Sequence, residues 1–319
     1  MHPRKALHLL KEAASSWSGD HAQAMGAALA YYALFSIAPL LLIIIALAGI
    51  VFGEEAVRGA VFGQLSDLMG ETGAEAIAEM VASANRPKSG GIAAAVGVAL
   101  LLFGASGVFG QLRAALDRIW RAPASTKTTG VWSWLRANLL SMGMVFAMAF
   151  LVAVSLVLSA VVATLGKWWS PLFGGWAVIA HALDLAVSFG MLTAIFALIY
   201  KVMPRAKVEW HDVWVGAAAT AALFTVGKFL IGLYLGRSSI GTSFGAFGSL
   251  AIFMVWVYYS AQIFLFGAEF TWVYAHELGS RRGELRPPPI EAVIASTRLD
   301  VPEVPAHRKV RAQPAQPAR

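Results

Sequence analysis

The chain has 319 residues, of which 58% are hydrophobic and only 13% charged, about half the charged share of soluble domains. That balance excludes an ordinary soluble fold, whose outer elements must each turn a polar face to water, and it points to lipid as the solvent. The net charge of +7 raises nucleic acid as a partner, while the absence of cysteine excludes disulfides, thiolate metal sites and a cysteine nucleophile.

Residues 1–20 carry Arg4, Lys5, Lys11, Glu12 and Asp20, with Leu7, Leu10, Ala14 and Trp17 at helical spacing. They read as a short amphipathic helix at the membrane surface. From Ala22 to Phe52 there is no Asp, Glu, Lys or Arg. A spanning helix needs about 20 such residues, so a first transmembrane helix is placed at 26–52. The run is too long for a signal-peptide core and lacks a small-residue cleavage site, and is therefore read as retained. Pro39 lies inside it, where a kink is tolerated if neighbours satisfy the freed carbonyl. Packing geometry explains that proline without any functional role.

Residues 53–88 change character. Glu54, Glu55, Asp67, Glu71, Glu75 and Glu79 outnumber Arg58, Arg86 and Lys88. Val57, Val61, Leu65 and Leu68 line one helical face, and Ile77, Met80, Val81 and Ala84 another. Two short amphipathic helices outside the span are expected, the second opened by a capping box from Thr72 to Glu75. The second span is placed at 90–112 and contains Gly104, Gly107 and Gly110. A basic loop follows, with Arg113, Arg118, Arg121, Lys127 and Arg136, and then a charge-free third span at 137–165. Lys167, Trp168, Trp169 and Trp176 mark an aromatic belt. The fourth span, 178–200, is interrupted by Asp184, and a loop with Lys201, Arg205, Lys207 and Glu209 follows it. The fifth, 213–235, contains Lys228. Gly241 precedes the sixth, 244–274, which holds Gly245, Gly248, Gln262 and Glu269. The Pro-rich, charged stretch 279–319 reads as a disordered tail. The expectation is an all-α polytopic membrane protein, with a six-helix domain over 21–278 and short amphipathic surface helices.

Nineteen of the 25 Lys and Arg residues fall on one side of this topology and five on the other, with Lys228 inside a span. Both termini are therefore expected in the cytoplasm. The basic balance then records orientation and contact with lipid headgroups, and no nucleic acid is needed to explain it.

Ionisable residues inside a span are costly and often functional. Asp184 and Lys228 stand at similar depths on consecutive helices. They read as an intramembrane ion pair, as joint lining of an outward-facing polar cavity, or as two side chains that snorkel separately to the outer interface. Glu269 lies at the depth of Arg113, Lys201 and the hydroxyls of Tyr31 and Tyr32. A structural hydrogen bond or salt bridge explains it, and so does a proton- or ion-coupling carboxylate. Gln262 stands two turns away on roughly the same face. The glycines at 104, 107, 110, 241, 245 and 248 allow close helix approach, or an unwound turn beside a substrate.

No catalytic constellation is visible. There is no phosphate-binding Gly-x-x-x-x-Gly-Lys-Ser/Thr loop and no Gly-x-Ser-x-Gly elbow, and the histidines show no metal-ligand spacing. Asp212, beside His211, reads as a helix cap as readily as a catalytic acid. No metal, cofactor or enzymatic activity is expected.

The stretches Gly26–Pro39, Gly107–Trp120 and Tyr200–Trp210, and the final span from Thr242 through Gly267-Ala-Glu-Phe270, resemble the YihY/BrkB family. The resemblance covers about 15–275. It implies a bacterial inner-membrane protein with six helices. Members carry the label of virulence factor and an older label of ribonuclease BN, for which this sequence offers no site. The resemblance supplies no catalytic residues. Two readings of function stand: a transporter or flippase-like carrier of a lipid or amphipathic solute, and a non-transporting scaffold of the envelope. Membrane lipids are the expected partners, and so small a bundle suits a homo-oligomer.

Overall fold

A computed structural model describes residues 3–84, 107–122, 176–237 and 248–284, and all secondary structure among them is helical. The spans expected at 90–112 and 137–165 lie largely outside the described residues, as do Gly104, Gly241 and Gly245. The described helices are α1 (Pro3–Gly19), α2 (Ala22–Phe52), α3 (Glu54–Met69) and α4 (Glu71–Ala84). They continue with α5 (107–119), α6 (Trp176–Val202), α7 (Trp210–Arg237) and α8 (Gly248–Glu277). Leu185–Val202, Trp210–Leu235 and Gly248–Glu277 are long and apolar enough to cross a membrane, and Ala22–Ile37 is a shorter apolar stretch. The exposed faces of these helices carry Leu185, Phe229, Leu230 and Leu233, a surface suited to lipid rather than to water.

The chain turns where side chains with ordinary backbone preferences give out. Gly53 and Gly70 hold φ angles of 87° and 80°, a region glycine enters freely, and they separate α2 from α3 and α3 from α4. Helix α4 therefore starts at Glu71, directly after Gly70, which puts Thr72 inside the first turn. The expected capping box is replaced by a glycine break. Between α1 and α2 the left-handed residue is His21, with φ 56°.

Helix α8 is the hub, packing against α7, α2, α4 and α1. One core gathers Leu116, Ile119, Tyr200, Val213, Leu265 and Val273 around its C-terminal half. A second core packs Val57, Ile77 and Val81 of the acidic pair α3–α4 onto Leu41, Ile45 and Phe253, so α3 and α4 rest on the bundle. Helix α1 buries Leu9 and Ala13, while Leu7 and Leu10 stay exposed. One face of α1, with Leu9 and Ala13, thus meets the bundle, and the face with Leu7 and Leu10 turns outward.

The α7–α8 contact depends on missing side chains. A Cβ on Gly216 would overlap Thr271, one on Gly227 would overlap Ile263, and one on Gly267 would overlap Thr220 and the Tyr200 hydroxyl. Tyr200 is fully buried, sharing a 3.1 Å hydrogen bond with the Thr220 hydroxyl and donating to the Phe264 carbonyl at 2.7 Å. In a lipid-facing bundle no water stands in for such partners.

Two boundaries differ from expectation. Helix α5 runs on through Arg113 and Arg118 to residue 119, because Ala115, Leu116 and Ile119 form a buried stripe that continues the helix past its first charges. The end beyond Glu277 also stays ordered to residue 284. Asp212 accepts hydrogen bonds from the Ser280 backbone N–H (3.2 Å) and hydroxyl, and the Arg281 guanidinium donates to the Lys207 carbonyl at 2.7 Å. Asp212, read from the sequence as a helix cap or a catalytic acid alike, tethers the chain after α8.

Tyr200→Phe is expected to cost about 1 kcal/mol, the net worth of a buried hydrogen bond. Gly267→Val should cost roughly three times as much or prevent folding, because the added carbons have nowhere to go. Thermal unfolding of both variants in one detergent measures the ordering.

Candidate functional site: a buried polar layer and a lateral groove

At the end of the bundle where the arginines collect, three elements converge. The α1–α2 corner brings Asp20, which is fully buried. The end of α5 brings Arg118 and Arg121. The Arg121 backbone is left-handed, with φ 48°, and the turn closes through hydrogen bonds from Arg121 N–H to Arg118 and from Ala122 N–H to Asp117. This αL ending aims the Arg121 side chain back into the bundle. Helix α8 brings Glu269, also fully buried.

The Arg121 guanidinium lies 3.5 Å from Asp20 Oδ2 and 4.7 Å above the Trp272 ring, so it is held by an ion pair on one side and an aromatic face on the other. The Asp20 and Glu269 carboxyls come within hydrogen-bonding reach of each other. No other described side chain donates a hydrogen bond to either Glu269 oxygen. Burial pushes the Asp20 carboxyl above its ordinary pKa of 3.8, and Arg121 partly offsets that rise. Around this layer Asp117 pairs with Arg205 at 3.4 Å and accepts from the Arg205 backbone N–H at 2.7 Å. Arg281 lies over the Trp120 ring.

Away from this layer, α1, α7 and α8 enclose a groove of about 550 Å³. Trp17, Leu223, Val226, Leu230 and Phe266 make its walls almost wholly apolar, and Gln262 brings an amide to it. The amide nitrogen and oxygen of Gln262 and the indole nitrogen of Trp17 are buried without a hydrogen-bond partner among the described residues. Gln262 rests against Gly26, where a Cβ would strike its amide.

The structure distributes the expected site residues as follows. Glu269 and Gln262 lie on α8, one in the polar layer and the other at the groove. Arg113 is on α5 with its Nε buried and without a partner among the described residues, and the described charged groups that act on Glu269 are Asp20, Arg121 and Arg118. Lys201 donates to the Val208 carbonyl and covers Trp210, closing the turn between α6 and α7. Tyr31 is exposed, edge-on to Tyr32 and Phe35. Tyr32 packs directly on Gly107, where no Cβ fits, whereas Gly110 faces open space. Gly248 is buried at the start of α8. Lys228 is half-buried on α7. The side chains of Asp184 and Pro39 lie outside the described residues, and with Asp184 the pairing expected for Lys228.

Sequence reasoning missed Asp20, Arg118 and Arg121. Asp20 carried one usable signal: it is a lone acid between a basic amphipathic helix and a charge-free run.

The profile of the family described as Virulence factor BrkB matches residues 13–290. The chain belongs to the BrkB family. A UPF0761 membrane protein of Mannheimia succiniciproducens is 28% identical over 271 residues, covering 82% of this chain and 88% of the relative. UPF0761 membrane protein YihY of Salmonella typhimurium is 29% identical over 217 residues, covering 67% of this chain and 68% of the relative. No solved structure matches the chain. This BrkB member is thus a helical membrane protein, and stretches that carry its family resemblance meet in space. Gly107 seats Tyr32, Asp117 binds Arg205, and Tyr200 closes over Gly267.

Two variants test the polar layer. Arg121→Met strands a buried carboxylate and should cost about 3–5 kcal/mol. Asp20 holds its proton more tightly folded than unfolded. Its contribution to stability is therefore complete below about pH 4 and is lost as pH rises through the raised folded value. Melting temperatures in lipid nanodiscs should fall over that window in the wild type and change less in Asp20→Asn.

Proposed function

We propose that this protein is a carrier in the bacterial inner membrane that moves a lipid or another amphipathic solute. The groove between α1, α7 and α8 carries the reading. Its walls include the exposed Leu223, Val226 and Leu230 of a helix apolar enough to cross a bilayer and suit a hydrocarbon chain, and Gln262 and Trp17 bring to it polar groups with no hydrogen-bond partner among the described residues. Apolar walls with a few placed polar groups are the usual chemistry of a small-molecule site. A scaffold alone has little use for an amide at membrane depth that finds no partner among the described residues, because such a group costs free energy there.

In this reading six helices cross the membrane. They are α2, α6, α7 and α8 together with the apolar stretches 90–112 and 137–165, and both termini are cytoplasmic because the arginine-rich end faces inward. Asp184 and Lys228 then belong to the outward-facing half and the Asp20–Glu269 layer to the inward-facing half. Membrane lipids are the partners. A homo-oligomer is compatible with so small a bundle, and no nucleic acid, metal, cofactor or catalytic step is assigned.

Lipid and metabolite profiles of a deletion strain test this, with rescue by the wild type, Val226→Trp and Gln262→Leu. Val226→Trp fills the groove from an exposed position, and Gln262→Leu removes its amide while keeping its bulk. Both variants should reach the membrane at wild-type level and fail to restore the profile. Full rescue by both would end the carrier reading and favour a scaffold of the envelope.

A further inference from the structure

The polar layer contains a contact that two ionised carboxylates cannot make. Asp20 and Glu269 face each other within hydrogen-bonding reach, and both are closed to solvent. A carboxylate only accepts hydrogen bonds, so a bond between the two requires a proton on one of them. Arg121 decides which. Its guanidinium is 3.5 Å from Asp20 Oδ2, which favours the charged form on Asp20. The proton then sits on Glu269, whose oxygens receive no donor from the other described side chains. The remaining charged or titratable groups facing the pair are Arg118 from α5 and His21 from the α1–α2 corner.

We propose that Glu269 and Asp20 form a proton-binding site, in which the Glu269 hydroxyl donates to the Asp20 carboxylate and Arg121 is the fixed counter-charge. Proton loss from Glu269 turns one hydrogen bond into two facing negative charges in a medium that solvates them poorly. The softest response is for the α1–α2 corner to move away from α8, since Asp20 and Glu269 belong to those two elements. Helix α1 also carries Ala14 and Trp17 of the groove. Proton occupancy just past the C-terminal end of α1 therefore sets the position of the groove wall that its last two turns provide. This coupling rests on the carrier reading only in assigning the groove a cargo. Proton binding itself does not depend on it.

Infrared difference spectroscopy of the full-length protein in lipid nanodiscs, between acid and alkaline pH, tests the binding step. A protonated-carboxyl carbonyl band should be present at neutral pH, disappear on alkalinisation and be absent from Glu269→Gln. In the wild type, 13C labelling of glutamate side chains should shift the band and labelling of aspartate should leave it in place. That arm needs no variant to fold. No band, or a band that shifts with aspartate alone, overturns the assignment.

The chain has no cysteine, so an Ala14→Cys variant takes a single environment-sensitive fluorophore at the groove. Its emission should shift with pH, and combining it with Glu269→Gln should abolish the shift. An identical pH response with and without Glu269 overturns the coupling. A failure of the carrier reading in the deletion strain leaves both spectroscopic results unchanged, so the two ideas fail separately.

Discussion

Glu269 sits on the most heavily packed helix of the protein with no exposure to solvent, and everything at that end of the bundle is arranged around the need to neutralise it. A buried carboxyl in a membrane protein has no water to fall back on, so its partners must come from the chain itself. Asp20 reaches it from a helix corner and Arg121 reaches Asp20 from the end of another helix. Trp272, one turn below Glu269 on α8, supports the guanidinium from beneath. Without that knot the α1–α2 corner and α5 would each bury a charge, and α8 a carboxyl, with no answer to it. The left-handed residues His21 and Arg121 are the local cost of delivering those side chains to one point.

The second organising element is apolar and works by subtraction. Gly216, Gly227 and Gly267 remove side chains where α7 and α8 approach, so Thr271, Ile263 and Thr220 occupy the vacated space. Between lipid-facing helices no hydrophobic effect drives association, and close packing with internal hydrogen bonds takes its place. The Tyr200 hydroxyl combines both devices, since it fits only because Gly267 is bare and it bonds both Thr220 and the α8 backbone.

Much of this was legible in the sequence, for reasons that differ by element. Long apolar runs, charge-free in α2 and with a single charge inside each span of α6, α7 and α8, announce those helices, because lipid permits what water forbids. The acidic pair α3–α4 was readable from its two apolar faces. Glu269 and Gln262 stood out as polar exceptions in an apolar run. Their surroundings did not, because Asp20, 249 positions earlier, meets Glu269 only after the tertiary fold is known. The arginines of α5 were read as a loop because charge was taken to end a span, although the stripe of Ala115, Leu116 and Ile119 continues straight through them. Asp212 stayed open between a helix cap and a catalytic acid for a related reason. A cap is a local device, whereas its actual partner is Ser280, 68 positions away.

The interlock of α7 with α8 has a consequence for how such a protein can change shape. Two helices that interlock where side chains seat on three glycines cannot slide by a residue without driving a threonine or isoleucine into bare backbone. They must therefore travel as one rigid strut. Any alternation of access between the two faces of the bilayer has to come from elements pivoting against that strut. Helix α1 is held to it through the packing of Leu9, Ala13 and Trp17, and the corner that follows through the contact of Asp20 with Glu269, which part and re-form more readily than interdigitated knobs.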